Sequence, residues 1–574
     1  MTDTPYIDAL RTVSTGALPP VGADLVLDIR DLRVAFQDGR GLHEVVKGVS
    51  LSVAAGHCLA IVGESGSGKS VTSRSIVGLA GENSVVDCAA HLLGGHDVRG
   101  LTPRQWREVR GSRVGFVLQD ALGALDPLRT VGAEVGDPLV LHTRERRRRR
   151  RQRVLDVLTE VGVPGAEQRA AQRPYQLSGG LRQRALIASA IINNPALLIA
   201  DEPTTALDVS VQAQVLNLLA GLKAAGTAIV LVTHDLAVAS QLADHIVVMR
   251  DGEIVERGST AAVLDDPAHE YTRQLLAAVP SAATRGLRLS DDRHPPRNQH
   301  RQTSAAGGDH LAVEAHAVST SFTLPNGTSL HAVSNVDFTI RRGEIVGLVG
   351  ESGSGKSTLA RIVMGAIRPD AGTITISGLP WSQLSERQRR PHRSLVQLIP
   401  QDPMASFDPR HLVGDILDEA LDANASQPRK VCNEADHRTD RRRELLSLVG
   451  LEHLTPGTHP RTLSGGQRQR LAIARALAVG PSILVCDEPV SALDVSVQAQ
   501  ILDLLGDLRA ELGLSVLFIS HDLGVVEHLC DRILVMQSGK IVEEGDAATL
   551  FDKPTHPYTR SLAAAVPRLQ PQTR

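Results

Sequence analysis

The chain is one unit written twice. The octapeptide GESGSGKS stands at Gly63–Ser70 and again at Gly350–Ser357, and LSGG stands at Leu177–Gly180 and Leu463–Gly466. DEP, followed closely by ALDVSVQAQ in one copy and its match in the other, begins at Asp201 and Asp487, and HDL begins at His234 and His521. The whole ordered set recurs at a near-constant spacing of about 287 residues, the signature of tandem duplication rather than of chance matches. The repeat predicts a first unit over 25–280 and a second over 311–574, behind an N-terminal tail, 1–24. Residues 281–310 between them are polar and rich in Arg, Ser, Pro and Gly. Such a segment buries too little apolar surface to order itself, so a flexible linker is expected.

Size agrees with this plan. A chain of 574 residues with 42% hydrophobic content has room for about four lobes. A net charge of -3 and 2% aromatics argue against a nucleic-acid partner, which would need a basic surplus and stacking platforms. The five cysteines, Cys58, Cys88, Cys432, Cys486 and Cys530, form no CxxC pair, which predicts reduced thiols and no zinc site. The most apolar stretch, Ala185–Ala200, is interrupted by Asn193, Asn194 and Pro195, well short of a membrane span. The N-terminal sequence MTDTPYIDAL lacks the basic-then-apolar order of a signal peptide.

Within each unit, short apolar runs alternate with helical patterns. CLAIVG, ALLIAD and AIVLVTHD in the first unit, and EIVGLVG, SILVCD and SVLFISHD in the second, read as buried parallel strands. VQAQVLNLLAGLKAAG and VQAQILDLLGDLRAELG read as helices between strands. The expected fold class is therefore α/β. The charge-rich stretches 121–176 and 402–462 predict a smaller helical lobe in each unit.

Gly63, Glu64, Ser65, Gly66, Ser67, Gly68, Lys69 and Ser70 follow a strand run and precede a helix, the setting a phosphate loop requires. Gly350, Glu351, Ser352, Gly353, Ser354, Gly355, Lys356, Ser357 and Thr358 repeat it. Glycines let backbone N–H groups turn toward phosphate oxygens, and the helix N-terminus adds partial positive charge. Lys69 and Lys356 would reach the terminal phosphates, and the Ser70 and Ser357 hydroxyls would ligate Mg²⁺. Asp201 and Asp487 end apolar strands, where a carboxylate can hold the same metal. Glu202 and Glu488 follow, placed to polarise a water for in-line attack.

Together with LSGG, DEP, ALD and a histidine after a strand, these loops resemble the ABC transporter ATPase family over nearly all of both units. The resemblance implies tandem nucleotide-binding domains, each with an α/β ATP-binding core and a helical lobe, which pair head-to-tail as an intramolecular cassette dimer around two ATP molecules. It implies that Lys69, Ser70, Gln119, Asp201, Glu202 and His234 face Ser464, Gly465 and Gly466 across one site. Lys356, Ser357, Gln401, Asp487, Glu488 and His521 would face Ser178, Gly179 and Gly180 across the other. His234 and His521 join the glutamates as catalytic residues. Gln119 and Gln401 join the metal site and match the loop that senses the γ-phosphate and moves with the transporter. Phe36 and Phe322 sit where the family stacks an aromatic on adenine, although core packing explains a lone aromatic equally well.

A narrower resemblance lies in DDPAHEYTRQLLAAVP (Asp265–Pro280) and DKPTHPYTRSLAAAVP (Asp552–Pro567). These are similar to the C-terminal extension of oligopeptide, dipeptide and nickel importer ATPases, with both ATPase partners fused in one chain. This implies two transmembrane permease subunits and, through them, a substrate-binding protein. It also implies a peripheral position on the cytoplasmic face of the inner membrane. Short peptides are the expected cargo, with nickel or another small solute as the alternative. A soluble tandem-cassette translation factor would call for a long, charged, helical linker, and a DNA-repair ATPase for zinc-binding cysteines. The copies also differ. Leu181 follows the first LSGG where Gln467 follows the second, and Asp120-Ala121 stands where the second copy has Asp402-Pro403. The run Arg144–Arg153 reads as the solvated face of a helix in the small lobe rather than as an RNA or lipid contact.

Overall fold

The continuous apolar runs become central strands. Cys58–Val62, Leu197–Asp201 and Ala228–Thr233 are buried at every position, as a parallel sheet covered on both faces requires. The computed structural model describes residues 25–290 and 310–566, apart from 40, 120, 205–206, 324–326, 328, 424–433 and 492. The N-terminal tail, Asp120 and most of the expected linker lie outside the described residues. Most of the chain through Leu276 forms one compact unit, and Ala277–Val566 forms the body of another.

In the first unit the six-stranded sheet runs Glu253–Ser259, His245–Arg250, Cys58–Val62, Ala228–Thr233, Leu197–Asp201, Val114–Val117. Only the Glu253–Ser259 edge is antiparallel to its neighbour. The second unit repeats the order with Lys540–Asp546, Arg532–Gln537, Ile345–Val349, Ser515–Ile519, Ile483–Asp487 and Val396–Ile399. Because the inner strands are parallel, the phosphate loop, the Asp-Glu pair, the histidine and the glutamine all emerge at one carboxyl edge. Ligands of open α/β sheets bind at such an edge.

A separate antiparallel sheet, built on Leu25–Asp38 and Gly41–Ala54, adjoins the first core; Leu311–Thr323, Ser329–Arg341 and Ala371–Ile376 form its counterpart. The helical lobes are present in both units. In the first, Val131–His142 buries Val131, Val135 and Leu139 and packs against the helix Gly179–Ile191. In the second, Val413–Ala423 buries Val413, Ile416 and Leu417 and packs against Gly465–Leu477. The arginine run starts the helix Arg147–Glu160. Arg153 and Arg149 pair with Glu145, and Arg151 pairs with Glu167, while Val154, Val157 and Leu158 face inward. The helix thus has the apolar face and charged outer surface that its sequence suggested.

Residues 281–290 depart from the flexible linker that composition predicts. They turn through Ala282–Thr284 and pack onto the second unit's helices Val495–Leu512 and Leu523–Leu529. Asp503, 1% exposed, accepts the backbone N–H of Leu289 (3.1 Å) and of Ser290 (3.0 Å), and the Ser290 hydroxyl (2.6 Å). Leu289 enters the apolar core, Arg288 pairs with Asp507, and the Thr284 hydroxyl meets His528 Nδ1 at 3.1 Å. A single leucine and a buried carboxylate supply the burial that the polar composition of the segment conceals.

Candidate nucleotide sites

Each phosphate loop turns sharply away from a buried strand. A Cβ on Gly63 would overlap the carbonyl oxygen of Met249, and one on Gly350 that of Met536, so only glycine fits there. The helices Lys69–Ile76 and Lys356–Val363 follow at once. Lys69 and Lys356 are buried under the loop. Lys69 Nζ donates to the Gly63 and Glu64 carbonyls (2.7 Å each), and Lys356 Nζ to Gly350 (2.7 Å) and Glu351 (2.8 Å). Burial pulls the Lys356 pKa below the ordinary lysine value against the pull of Glu488. The hydroxyls of Ser67 and Ser354 are buried in the same loops without a partner. An orphaned donor and a lysine ammonium resting against loop carbonyls suit a phosphate.

The strand-end carboxylates converge on the loop serines. Ser70 Oγ donates to Asp201 Oδ1 at 3.1 Å, and Ser357 Oγ to Asp487 Oδ1 at 3.3 Å. Ser73 adds a bond to Asp201 Oδ2 at 3.3 Å; Ala360 stands at the matching position in the second unit, so the two sites are not identical. Burial and the adjacent glutamate raise the pKa of both aspartates, against the serine hydrogen bonds. Arg74 beside Asp201, and Arg361 with Lys356 beside Asp487, offset this only in part, and a bound cation would complete the compensation.

Glu202 and Glu488 occupy left-handed backbone, φ +48° each, which bulky residues adopt only under constraint. The Gln119 amide donates to Glu202 Oε2 (2.7 Å), and Gln401 to Glu488 Oε2 (3.0 Å). The imidazole Nδ1 of His234 lies 3.3 Å from Glu202 Oε1, and that of His521 lies 3.3 Å from Glu488 Oε2. Burial opposes charge on both rings, but the hydrogen bonds and charges of the glutamates outweigh it and raise both histidines above their ordinary value. Glu488 is likewise held below the usual carboxylate range, against burial, by His521 and Lys356. Loop, lysine, serine, aspartate, glutamate, glutamine and histidine therefore come together in each unit.

Ser178 and Ser464 cap the helices Gly179–Ile191 and Gly465–Leu477. The difference between Leu181 and Gln467 now has a physical meaning. Gln467 Oε1 accepts the Ser464 N–H at 3.0 Å and closes a capping box, which Leu181 cannot do. The S-x-x-Q spacing carried that signal in the sequence. Phe36 packs partly against the first unit's core, whereas Phe322 is 41% exposed.

One contact was not anticipated. The Tyr271 hydroxyl accepts the Glu64 N–H at 3.2 Å, and the Tyr558 hydroxyl accepts that of Glu351 at 2.9 Å. The repeated EYTR and PYTR tails held the clue, since each tyrosine lies at the same distance in sequence from its loop.

Comparison with known proteins agrees with this geometry. The ABC transporter family matches residues 46–205 and 333–491. The oligopeptide/dipeptide transporter C-terminal region matches 255–307 and 542–574. The peptidoglycan transport ATP-binding protein YejF of Agrobacterium fabrum is 41% identical over 548 residues, covering 94% of this chain and 96% of the relative. The glutathione import ATP-binding proteins GsiA of Salmonella choleraesuis and of Escherichia coli O157:H7 are 39% and 40% identical over 568 residues, covering 95% of this chain and 90% of each relative. With both cassettes matched and relatives aligned nearly end to end, this chain belongs to the ABC transporter family: it is an ATPase subunit that carries two cassettes in one polypeptide and couples ATP hydrolysis to transport.

Proposed function

We propose that the chain energises import of short peptides through transmembrane permease subunits. The observation that carries this reading is the pairing of two complete phosphate-loop sites with two C-terminal regions of the oligopeptide/dipeptide type. Relatives named for glutathione import and peptidoglycan transport support it. Among the described residues no helix is long and apolar enough to cross a membrane. The proposed position is the cytoplasmic face of the inner membrane, with a substrate-binding protein delivering cargo to the permease.

In this reading Lys69 and Lys356 leave their loop carbonyls for the β- and γ-phosphates, and Ser67 and Ser354 donate to phosphate oxygens. Ser70 with Asp201, and Ser357 with Asp487, would hold Mg²⁺; a hydroxyl and a carboxylate are the hard oxygen donors that fit that ion. Gln119 and Gln401 can add a carbonyl oxygen while their amide nitrogens rest on the glutamates. When bound, Mg²⁺ would supply charge neutralisation for the phosphates. Glu202 and Glu488, fixed between a glutamine amide and an imidazole, orient the attacking water and accept its proton, and His234 and His521 stabilise the charge that develops. The hydroxyls and N–H groups of the Ser178–Gly180 and Ser464–Gly466 helix starts would donate to phosphate oxygens in a head-to-tail pairing of the two cassettes, testable by crosslinking in dilute solution. Phe36 and Phe322 remain candidates for adenine stacking.

The test is uptake of labelled di- and oligopeptides, and separately of nickel, in cells lacking this chain. Lost peptide uptake is expected. Lost nickel uptake with peptide uptake intact would replace peptide with metal as the cargo.

A further inference from the structure

The phosphate-loop lysine is not held by its own loop alone. The Glu64 N–H that Tyr271 accepts and the Gly63 carbonyl that Lys69 Nζ grips belong to one planar peptide group. In the second unit the Glu351 N–H and the Gly350 carbonyl form the matching peptide, between Tyr558 and Lys356. Because the amide is rigid, fixing its N–H fixes the direction of its C=O. Each tyrosine hydroxyl therefore sets where its lysine ammonium rests.

The tyrosines are aimed by a repeated set of bonds. Glu256 accepts the backbone N–H groups of Ala268 (2.7 Å) and His269 (3.1 Å), and His269 Nδ1 accepts the Tyr271 N–H (3.1 Å). Glu543, Thr555, His556 and Tyr558 make the same series, at 2.7, 3.1 and 3.2 Å. Both rings are buried, and in the first unit the Arg250 guanidinium lies over the Tyr271 ring at 4.7 Å. In both cassettes the partners are 207 residues apart in sequence, so the contact is built in rather than incidental.

The geometry points to Tyr271 and Tyr558 as positioning residues for nucleotide binding, through which the C-terminal extension orients the phosphate-loop peptide and, with it, Lys69 and Lys356. The inference rests on the reading of these lysines as phosphate ligands. Losing the hydroxyl frees the peptide to rotate, so the lysine meets the incoming phosphates less well organised.

The full-length protein provides the test, using equilibrium binding of a fluorescent non-hydrolysable ATP analogue. Tyr271→Phe with Tyr558→Phe keeps both rings and is expected to weaken binding about 5-fold to 10-fold, the scale of one hydrogen bond, in a protein that still melts cooperatively at a somewhat lower temperature. In a Lys69→Ala, Lys356→Ala background the same tyrosine changes should alter affinity less than about 2-fold, because the group they position is gone. Undiminished binding in the tyrosine variant, or an equal loss in both backgrounds, would overturn the positioning role while leaving the lysines as phosphate ligands. Lysine variants that bind as tightly as the parent would remove that underlying reading, and the proposal with it.

Discussion

Glu543 Oε1 accepts both the backbone N–H of Thr555 (2.7 Å) and its hydroxyl (2.6 Å). Burial alone would raise the Glu543 pKa; its hydrogen bonds from Thr555 and His556 reverse that and hold it at about 2. A depressed carboxylate contributes stability that is complete above its unfolded pKa, about 4.3, and is lost as pH falls through the folded value. The melting temperature of wild type should therefore exceed that of Glu543→Gln at pH 6, and the gap should narrow steadily toward pH 3. A constant gap over that range would contradict the assignment.

Glu202→Gln together with Glu488→Gln keeps the shape of each site and removes the proton acceptor. ATP binding should persist while steady-state phosphate release falls by about 10²-fold to 10⁴-fold. Peptide uptake in cells should fall in parallel. Continued multiple turnover would mean that another group activates water.

The signature glycines separate into two kinds. A Cβ on Gly179 meets nothing within 4 Å, whereas one on Gly466 would overlap Val497 Cγ1. Gly466→Ala should cost about 1–3 kcal/mol by forcing the signature helix off its neighbour. Gly179→Ala should melt like wild type and yet lower ATPase turnover, if the helix start approaches nucleotide closely. Thermal denaturation and turnover, measured on both variants, separate the two effects.

Asp503→Ala leaves the N–H groups of Leu289 and Ser290 without their acceptor. A loss of about 2–4 kcal/mol is expected, confined to the second unit. Limited proteolysis should show faster cleavage within residues 281–290. Asp503→Asn retains a carbonyl acceptor and should recover part of the loss.

Much of this architecture is legible in the sequence because parallel strands buried on both faces leave continuous apolar runs, and because LLIAD and ILVCD end in the acidic residue that meets the loop serine. The contacts around Glu202 and Glu488 are not legible. They depend on left-handed backbone at a bulky residue and on side chains from two other strand ends. Asp503 reads as an ordinary polar position on the helix Val495–Leu512, and only tertiary packing shows it to be buried. The capping box at Gln467 was available from spacing alone, but the site's asymmetry at Ser73 takes its meaning from the position of Asp201.

The Asp503 contact also dictates where this polypeptide could be divided. The second unit begins at Ala277, ahead of the stretch that composition marks as the join. A gene split anywhere after Ser290 would leave that decapeptide on the upstream product, and the downstream product would carry a buried carboxylate facing an empty groove. A split just before Ala277 would keep receptor and segment together, at the expense of the last residue of the first product's terminal helix, Glu270–Ala277. Fusion is therefore more than a tether that raises local concentration: the downstream cassette has taken a piece of its predecessor's tail into its own core.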